Sequence, residues 1–307
     1  MSRLNVKVLT RRLGLFALMG LIGRARQGHG RGPAGAADPR RARGDPGPLP
    51  ARPRQRRDGA PVKAIILAAG VARRLAPLTD YTHKCLIPIG GHSLLDRMVS
   101  SLADNGVAET VIVVGHCQDQ IRAAAGDCRG AMRIRYVDNP EYQKGSILSL
   151  WRARDILTQG TTIVMDGDVL FPTEFLSRLI ASPHASALLL DQSFTDTGEE
   201  VKLYGVGDRV IALGKKFVPQ QWDVIGEGIG FFKCSPAHAP EYIRLLAESI
   251  EQTGGVNEYE DALHHLLGVV EVGWVDVTGL PWTEVDFVED LRRAESQVLP
   301  RIERLGH

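Results

Sequence analysis

The strongest constraint on this chain's fold is a change of periodicity that repeats from Lys63 onward. Ala64–Ala68 is a short, continuous apolar run, the pattern of a strand covered on both faces. Ser93 follows as a candidate helix cap, with Leu94, Leu95, Met98, Val99 and Leu102 at helical spacing and Asn105-Gly106 as a stop. The pattern then predicts a strand over Thr110–Val114, a helix over Gln118–Ala125, a strand over Arg133–Val137, a helix around Ile147–Trp151 and a strand over Thr161–Met165. Such alternation implies an α/β domain built on a doubly wound, mostly parallel sheet, whose ligand gathers at the carboxyl ends of the strands. The second half is less regular. Strands are expected at Ala187–Asp191, Ile229–Lys233 and Val269–Val277, with a hairpin over Val201–Phe217 turning at Gly207-Asp208. Helices are expected at Ala239–Gln252, Tyr259–Leu267 and Val288–Val298. This irregular half is read as the acceptor side of the same domain.

The sixty residues before this pattern have a different chemistry. The whole chain of 307 residues is nearly neutral at +1. Residues 1–60 hold 13 Arg and one Lys against three Asp, a balance of +11, which leaves the remainder at −10. Arg, Gly, Pro and Ala dominate, and such a stretch buries too little to offset its ordering entropy. Residues 1–61 are therefore expected to be a disordered basic extension, with the folded domain spanning 62–307. GC-rich codons serve all four residue types, so a second reading stays open: translated upstream DNA before a start at Val62. The apolar run Leu13–Ile22 is too short to span a bilayer and lacks a prompt small-residue cleavage site. No membrane span and no specific nucleic-acid partner are expected, because no aromatic residues interleave the basic ones. Cys85, Cys117, Cys128 and Cys234 show no paired spacing, which reads as isolated thiols in a cytoplasmic protein.

Chemistry concentrates after the first strand. Leu67-Ala68-Ala69-Gly70-Val71-Ala72-Arg73-Arg74 places small residues where backbone N–H groups can approach phosphate oxygens, with an arginine to neutralise them. It is neither a P-loop nor a three-glycine dinucleotide fingerprint. The motif continues through Leu75-Ala76-Pro77-Leu78-Thr79 and Lys84-Cys85-Leu86-Ile87-Pro88. Over this length the sequence resembles the NTP-dependent nucleotidyltransferase superfamily of sugar-nucleotide pyrophosphorylases and cytidylyltransferases. Asn139-Pro140-Glu141-Tyr142 and Trp282–Asp286 make it most similar to the phosphocholine and aminoethylphosphonate cytidylyltransferases.

The resemblance implies transfer of a nucleoside monophosphate from an NTP, CTP being favoured, to a phosphorylated small molecule. Leu67, Ala68, Ala69, Gly70, Arg74 and Lys84 would bind the nucleotide, with Arg74 and Lys84 as catalytic cations. It also implies Mg²⁺ on Asp168, from Asp166-Gly167-Asp168, and on Asp286. Asp286 could equally cap the following helix, and Asp166 could orient Asp168 or meet the ribose. Oxygen ligands suit Mg²⁺. On the acceptor side the candidates are Lys216 (or its neighbour Lys215), Glu227, Glu258 and Trp282. A cationic head group would call for an aromatic cage drawn from Tyr142, Trp151, Trp222, Tyr259 and Trp282. Ala72 stands where the family has its second glycine, which matters if the loop needs φ > 0. Two competing readings are a glycosyltransferase using Asp166-Gly167-Asp168 as its metal motif and a non-catalytic nucleotide-binding relative.

Overall fold

Strand β1, Lys63–Ala68, forms where the apolar run predicts it. The computed structural model describes residues 61–215 and 217–306. The expected basic extension falls outside the described residues except for Pro61, and so does the acceptor candidate Lys216. Strands β2 (Glu109–Val114), β3 (Met132–Asp138) and β4 (Thr162–Asp166) follow. They pair in parallel with β1 in the order β4–β1–β2–β3. Leu67 lies opposite both Val113 and Asp166. Parallel pairing thus sends the loops after β1 and β4 off the same edge, side by side.

Four helices connect or follow these strands: α1 (Leu94–Asp104), α2 (Gln118–Ala125), α3 (Ser146–Arg152) and α4 (Glu174–Ala181). Ser93 caps α1 as expected, its hydroxyl accepting the Asp96 N–H at 3.1 Å. Successive residues of β1 face opposite sides of the sheet. Ala64, Ile66 and Ala68 join a core with Met98, Ile121 and Phe175 from α1, α2 and α4. Ile65 joins a second core with Ile147 and Leu150 of α3. Both faces of the sheet are therefore covered, which explains the continuous apolar run.

Beyond β4 the sheet departs from the expectation. The chain adds β5 (Ser186–Asp191), the hairpin β6 (Lys202–Val206) and β7 (Arg209–Gly214), and the long β8 (Val224–Cys234). Helices α5 (Ala239–Thr253) and α6 (Tyr259–Leu266) precede β9 (Val272–Asp276). Strand β8 inserts antiparallel between β4 and β5, while β9 lies parallel to β5. Strand β6 pairs with both β7 and β8. The sheet is mixed rather than mostly parallel. The physical reason is the connections: the links from β5 to β6, β6 to β7 and β7 to β8 contain no helix, and short links join antiparallel strands.

The C-terminus runs through α7 (Val288–Arg293), a widened turn at Ala294–Val298 and α8 (Leu299–Arg304). The helical segment thus passes the expected end at Val298. Its apolar side closes a third, smaller core. There Val298, Leu299 and Ile302 meet Leu75, Ile87, Ile89, Leu170 and Val285. No described helix is long and apolar enough to cross a membrane, and the four cysteines are unpaired.

Gly90 lets α8 approach. Its φ is +60°, and a Cβ there would overlap Leu299 Cδ2. Gly90→Ala is expected to lower stability by about 1–3 kcal/mol, from the left-handed backbone and the overlap. Urea denaturation of the variant against the parent checks this.

Candidate active site

Four segments from three separate regions of the sequence converge at the carboxyl edge of β1 and β4. The first is the loop after β1. Ala68 and Ala69 are buried and Gly70 is exposed. The His116 N–H donates to the Ala69 carbonyl at 3.0 Å, tying the loop to the end of β2. Ala72 then adopts φ 51° and ψ 51°, the left-handed conformation that the missing glycine would favour. The Thr79 hydroxyl donates to the Ala72 carbonyl at 3.0 Å. One turn of 3₁₀-helix, Arg73–Leu75, buries Leu75 and leaves Arg74 outside, its side chain 59% exposed.

The second segment is a 3₁₀ turn, Lys84–Leu86, capped by buried His83, whose Nδ1 accepts the Cys85 N–H at 3.2 Å. Burial first, then the charge on Lys84 and neighbouring His116, push His83 down to about 4. Lys84 reaches across to the other two segments. Its Nζ lies 2.5 Å from Asp168 Oδ2 and 3.0 Å from Asp286 Oδ1. Burial would lower the Lys84 pKa, but Asp168 and Asp286 outweigh it and hold the ammonium above its ordinary value. Arg74 joins the cluster at 3.2 Å from Asp286 Oδ2, with its guanidinium 5.0 Å from the Phe287 ring centre.

The third and fourth segments carry the carboxylates, and they are bound to each other directly. Thr283-Glu284 pairs antiparallel with Val169-Leu170, and the Val285 N–H donates to the Asp168 carbonyl at 3.0 Å. Gly167 is required here because a Cβ would come within 2.8 Å of the Leu67 carbonyl on β1. One oxygen each from Asp168, Glu284 and Asp286 lie within 4.8 Å of one another. Glu284 was missed by sequence reasoning. The signal was present: Glu284 and Asp286 are two residues apart on extended chain, which puts both side chains on one face. Glu284 keeps a solvent-exposed side. Even so, desolvation and the charges on Asp168 and Asp286 push it up to about 8, opposed by Lys84. Asp168 Oδ1 is buried with no hydrogen-bond partner. Asp286 precedes the α7 cap, Phe287, and its carboxylate faces Lys84 and Arg74 instead of the helix.

Asp166 stands apart from this group. Its Oδ2 accepts the Tyr259 hydroxyl at 3.2 Å. Burial, then Glu260, Asp168 and Glu284, hold it well above the usual carboxylate range.

The acceptor-side candidates are more scattered. Burial, Glu200 and Asp191 push Glu227 up to about 7, with Arg293 opposing. Trp282 Nε1 donates to Asp191 Oδ2 at 2.8 Å. Glu258 Oε2 accepts the Ser146 N–H at 3.0 Å, at the start of α3. Lys215 sits 3.5 Å from Glu199 on the exposed hairpin end. The five aromatic residues do not build one cage. Trp282 packs on the core of one sheet face, Tyr142 and Trp151 on the other, and Trp222 stands edge-on to Tyr204.

This fold is that of nucleotidyltransferases. The solved inositol-1-phosphate CTP transferase from T. maritima superposes with a TM-score of 0.66 at 23% identity, covering 81% of this chain and 98% of that one. Residues 64–198 match the MobA-like NTP transferase domain. It is 30% identical over 250 residues to the CMP-5'-(3-aminopropyl)phosphonate synthase of Streptomyces rubellomurinus, across 79% of this chain and 40% of that protein. It is 32% identical over 242 residues to the bifunctional IPC transferase and DIPP synthase of Rubrobacter xylanophilus, across 78% of this chain and 52% of that protein. The chain thus spans about half the length of these curated relatives, or less.

Two outcomes follow from the loop geometry. Ala72→Gly removes a left-handed alanine, so it is expected to stabilise the folded loop by about 1 kcal/mol. Thermal unfolding should show a raised Tm, and a lowered one would contradict the reading. His83 stays neutral in the fold while an unfolded histidine protonates near 6.5. Its contribution is therefore complete above pH 6.5 and lost as pH falls toward 4, by about 3 kcal/mol. Urea midpoints from pH 7.5 to 4.5 should fall accordingly, with a shallower slope in His83→Asn.

Proposed function

We propose that this chain transfers CMP from CTP to a small molecule bearing a phosphate or phosphonate group, releasing pyrophosphate. The observation that carries the reading is the meeting of Arg74 and Lys84 with Asp168, Glu284 and Asp286 at the edge from which the loop after β1 departs. Two cations beside a backbone-lined loop suit a triphosphate. Three carboxylates with one buried, unpartnered oxygen suit a divalent cation with oxygen ligands. CTP and the acceptor class rest on the aminopropylphosphonate synthase and on the solved CTP transferase.

In the reaction, an oxygen of the acceptor's phosphate or phosphonate group attacks the α-phosphorus in line. The bond from that phosphorus to its bridging oxygen breaks, and pyrophosphate leaves with the electron pair. Leu67, Ala68, Ala69 and Gly70 hold the nucleotide by backbone contacts. Arg74 and Lys84 hold its phosphates and stabilise the charge that develops on the leaving group. Asp168, Glu284 and Asp286 would hold Mg²⁺, which supplies charge neutralisation and a template for the phosphates. No side chain needs to form a covalent bond. On the acceptor side, Glu227 with Trp282 and its partner Asp191 offers an acidic, half-buried wall for a head group that is cationic or rich in hydroxyls.

The glycosyltransferase alternative needs Asp166 and Asp168 to act together on one metal. Asp166 instead accepts the Tyr259 hydroxyl, and burial holds its carboxyl well above the usual carboxylate range, while Asp168 faces Glu284 and Asp286. The non-catalytic alternative does not require three converging carboxylates.

Pyrophosphate release across a panel of NTPs and phosphorylated or phosphonate acceptors, with Mg²⁺, tests the reading. CTP with at least one acceptor should give turnover, and nucleotide binding without release from any pair would overturn it. Asp168→Ala and Lys84→Met should each lower kcat/KM by at least about 100-fold.

A further inference from the structure

The segment Thr283–Phe287 carries two of the three converging carboxylates, and both of its ends are tied to one ion pair. At one end, a single oxygen of Asp290, Oδ2, accepts the N–H of Asp286 at 3.1 Å and of Phe287 at 2.8 Å. The other oxygen, Oδ1, lies 3.1 Å from Arg293. At the far end, Arg293 donates from Nε and a terminal nitrogen to the Thr283 hydroxyl, at 3.2 and 2.6 Å. Asp290 and Arg293 are one helical turn apart on α7. The Asp290 side chain is largely shielded, 17% exposed.

The need for such a tie follows from the charges. Asp168, Glu284 and Asp286 crowd within 4.8 Å, so repulsion among them opposes the pairing of Thr283-Glu284 with Val169-Leu170. Neither Asp290 nor Arg293 supplies an oxygen to that group. Their bonds instead fix the backbone from which Glu284 and Asp286 project. Charge-assisted bonds to backbone N–H groups are the stronger kind. Groups that orient metal ligands from behind commonly matter roughly 10- to 100-fold for metal affinity.

We propose that the Asp290–Arg293 pair is a positioning device that sets the metal affinity of the Asp168–Glu284–Asp286 group by bracing the Thr283–Phe287 segment that pairs with Val169-Leu170. The proposal rests on the reading of those three carboxylates as a divalent-metal site. A plain helix cap would also use Asp290, so the test needs a readout that a cap does not move.

That readout is Mn²⁺ binding by the full chain, followed by electron paramagnetic resonance in the absence of nucleotide, alongside thermal unfolding. The parent should bind Mn²⁺ and Asp168→Ala should not. Asp290→Ala should weaken binding roughly 10- to 100-fold, and Asp290→Asn, which keeps an acceptor for both N–H groups, should recover most of it. Arg293→Met gives a second variant if Asp290→Ala does not fold, and it should weaken binding in the same direction. Parent binding matched by Asp290→Ala, or by Arg293→Met in its place, with only Tm lowered, would overturn the proposal. Absence of Mn²⁺ uptake by the parent would overturn the metal-site reading beneath it.

Discussion

Lys84 holds together what the sequence separates. Its ammonium touches Asp168 and Asp286, which lie 84 and 202 positions further along the chain. Around it, three carboxylates stand within 4.8 Å of one another. Two such charges 4 Å apart in a partly shielded protein setting repel by an amount on the order of 4 kcal/mol. Opposite charge from Lys84 and Arg74 offsets that repulsion, but only while all four segments stay in register. The parallel pairing of β1 and β4 sets two of them side by side. The small core of Leu75, Ile87, Leu170, Val285 and Leu299 places an apolar anchor one to three residues from each charged group. The charges can therefore face one another because their neighbours in sequence are packed behind them.

That arrangement divides the chemistry among the strands. Asp166 and Asp168 are two residues apart yet have different environments. Asp166 ends β4 inside the protein against Tyr259, where desolvation keeps its carboxyl from ionising readily. Asp168, past the glycine turn, meets Lys84 and the Glu284–Asp286 segment. The same three-residue motif thus holds one carboxyl bonded to Tyr259 and one facing Lys84. The family match ends at residue 198, whereas Glu284 and Asp286 come from beyond it.

The fold was legible where its signals are local. The helix over Gln118–Ala125, the Ser93 cap and the Gly207-Asp208 turn depend on neighbouring residues alone, and each forms as read. Helix α4 carried a readable pattern, Phe175, Leu176 and Leu179, but was not assigned. Strand β8 was read only from Ile229, because Gly226, Glu227 and Gly228 interrupt its apolar alternation. Its place between β4 and β5 is a long-range pairing that no local pattern encodes. The C-terminal helix was ended at Val298, ahead of Pro300. The widened turn at Ala294–Val298 and the start of α8 absorb that proline near the helix's first positions, where its missing N–H is tolerated. Arg74, Lys84, Asp168 and Asp286 were found by motif, and they do meet. The aromatic cage was a compositional inference, and packing distributes its members over both faces of the sheet.

These four segments are proposed to form one nucleotide and metal site. The most direct test is a crystal structure of the full chain grown with Mn²⁺ and a non-hydrolysable α,β-methylene analogue of CTP. The expected result is an anomalous manganese peak bounded by Asp168, Glu284 and Asp286, with the triphosphate chain against Gly70, Arg74 and Lys84. Manganese on Asp166, or a nucleotide seated away from the loop after β1, would contradict it.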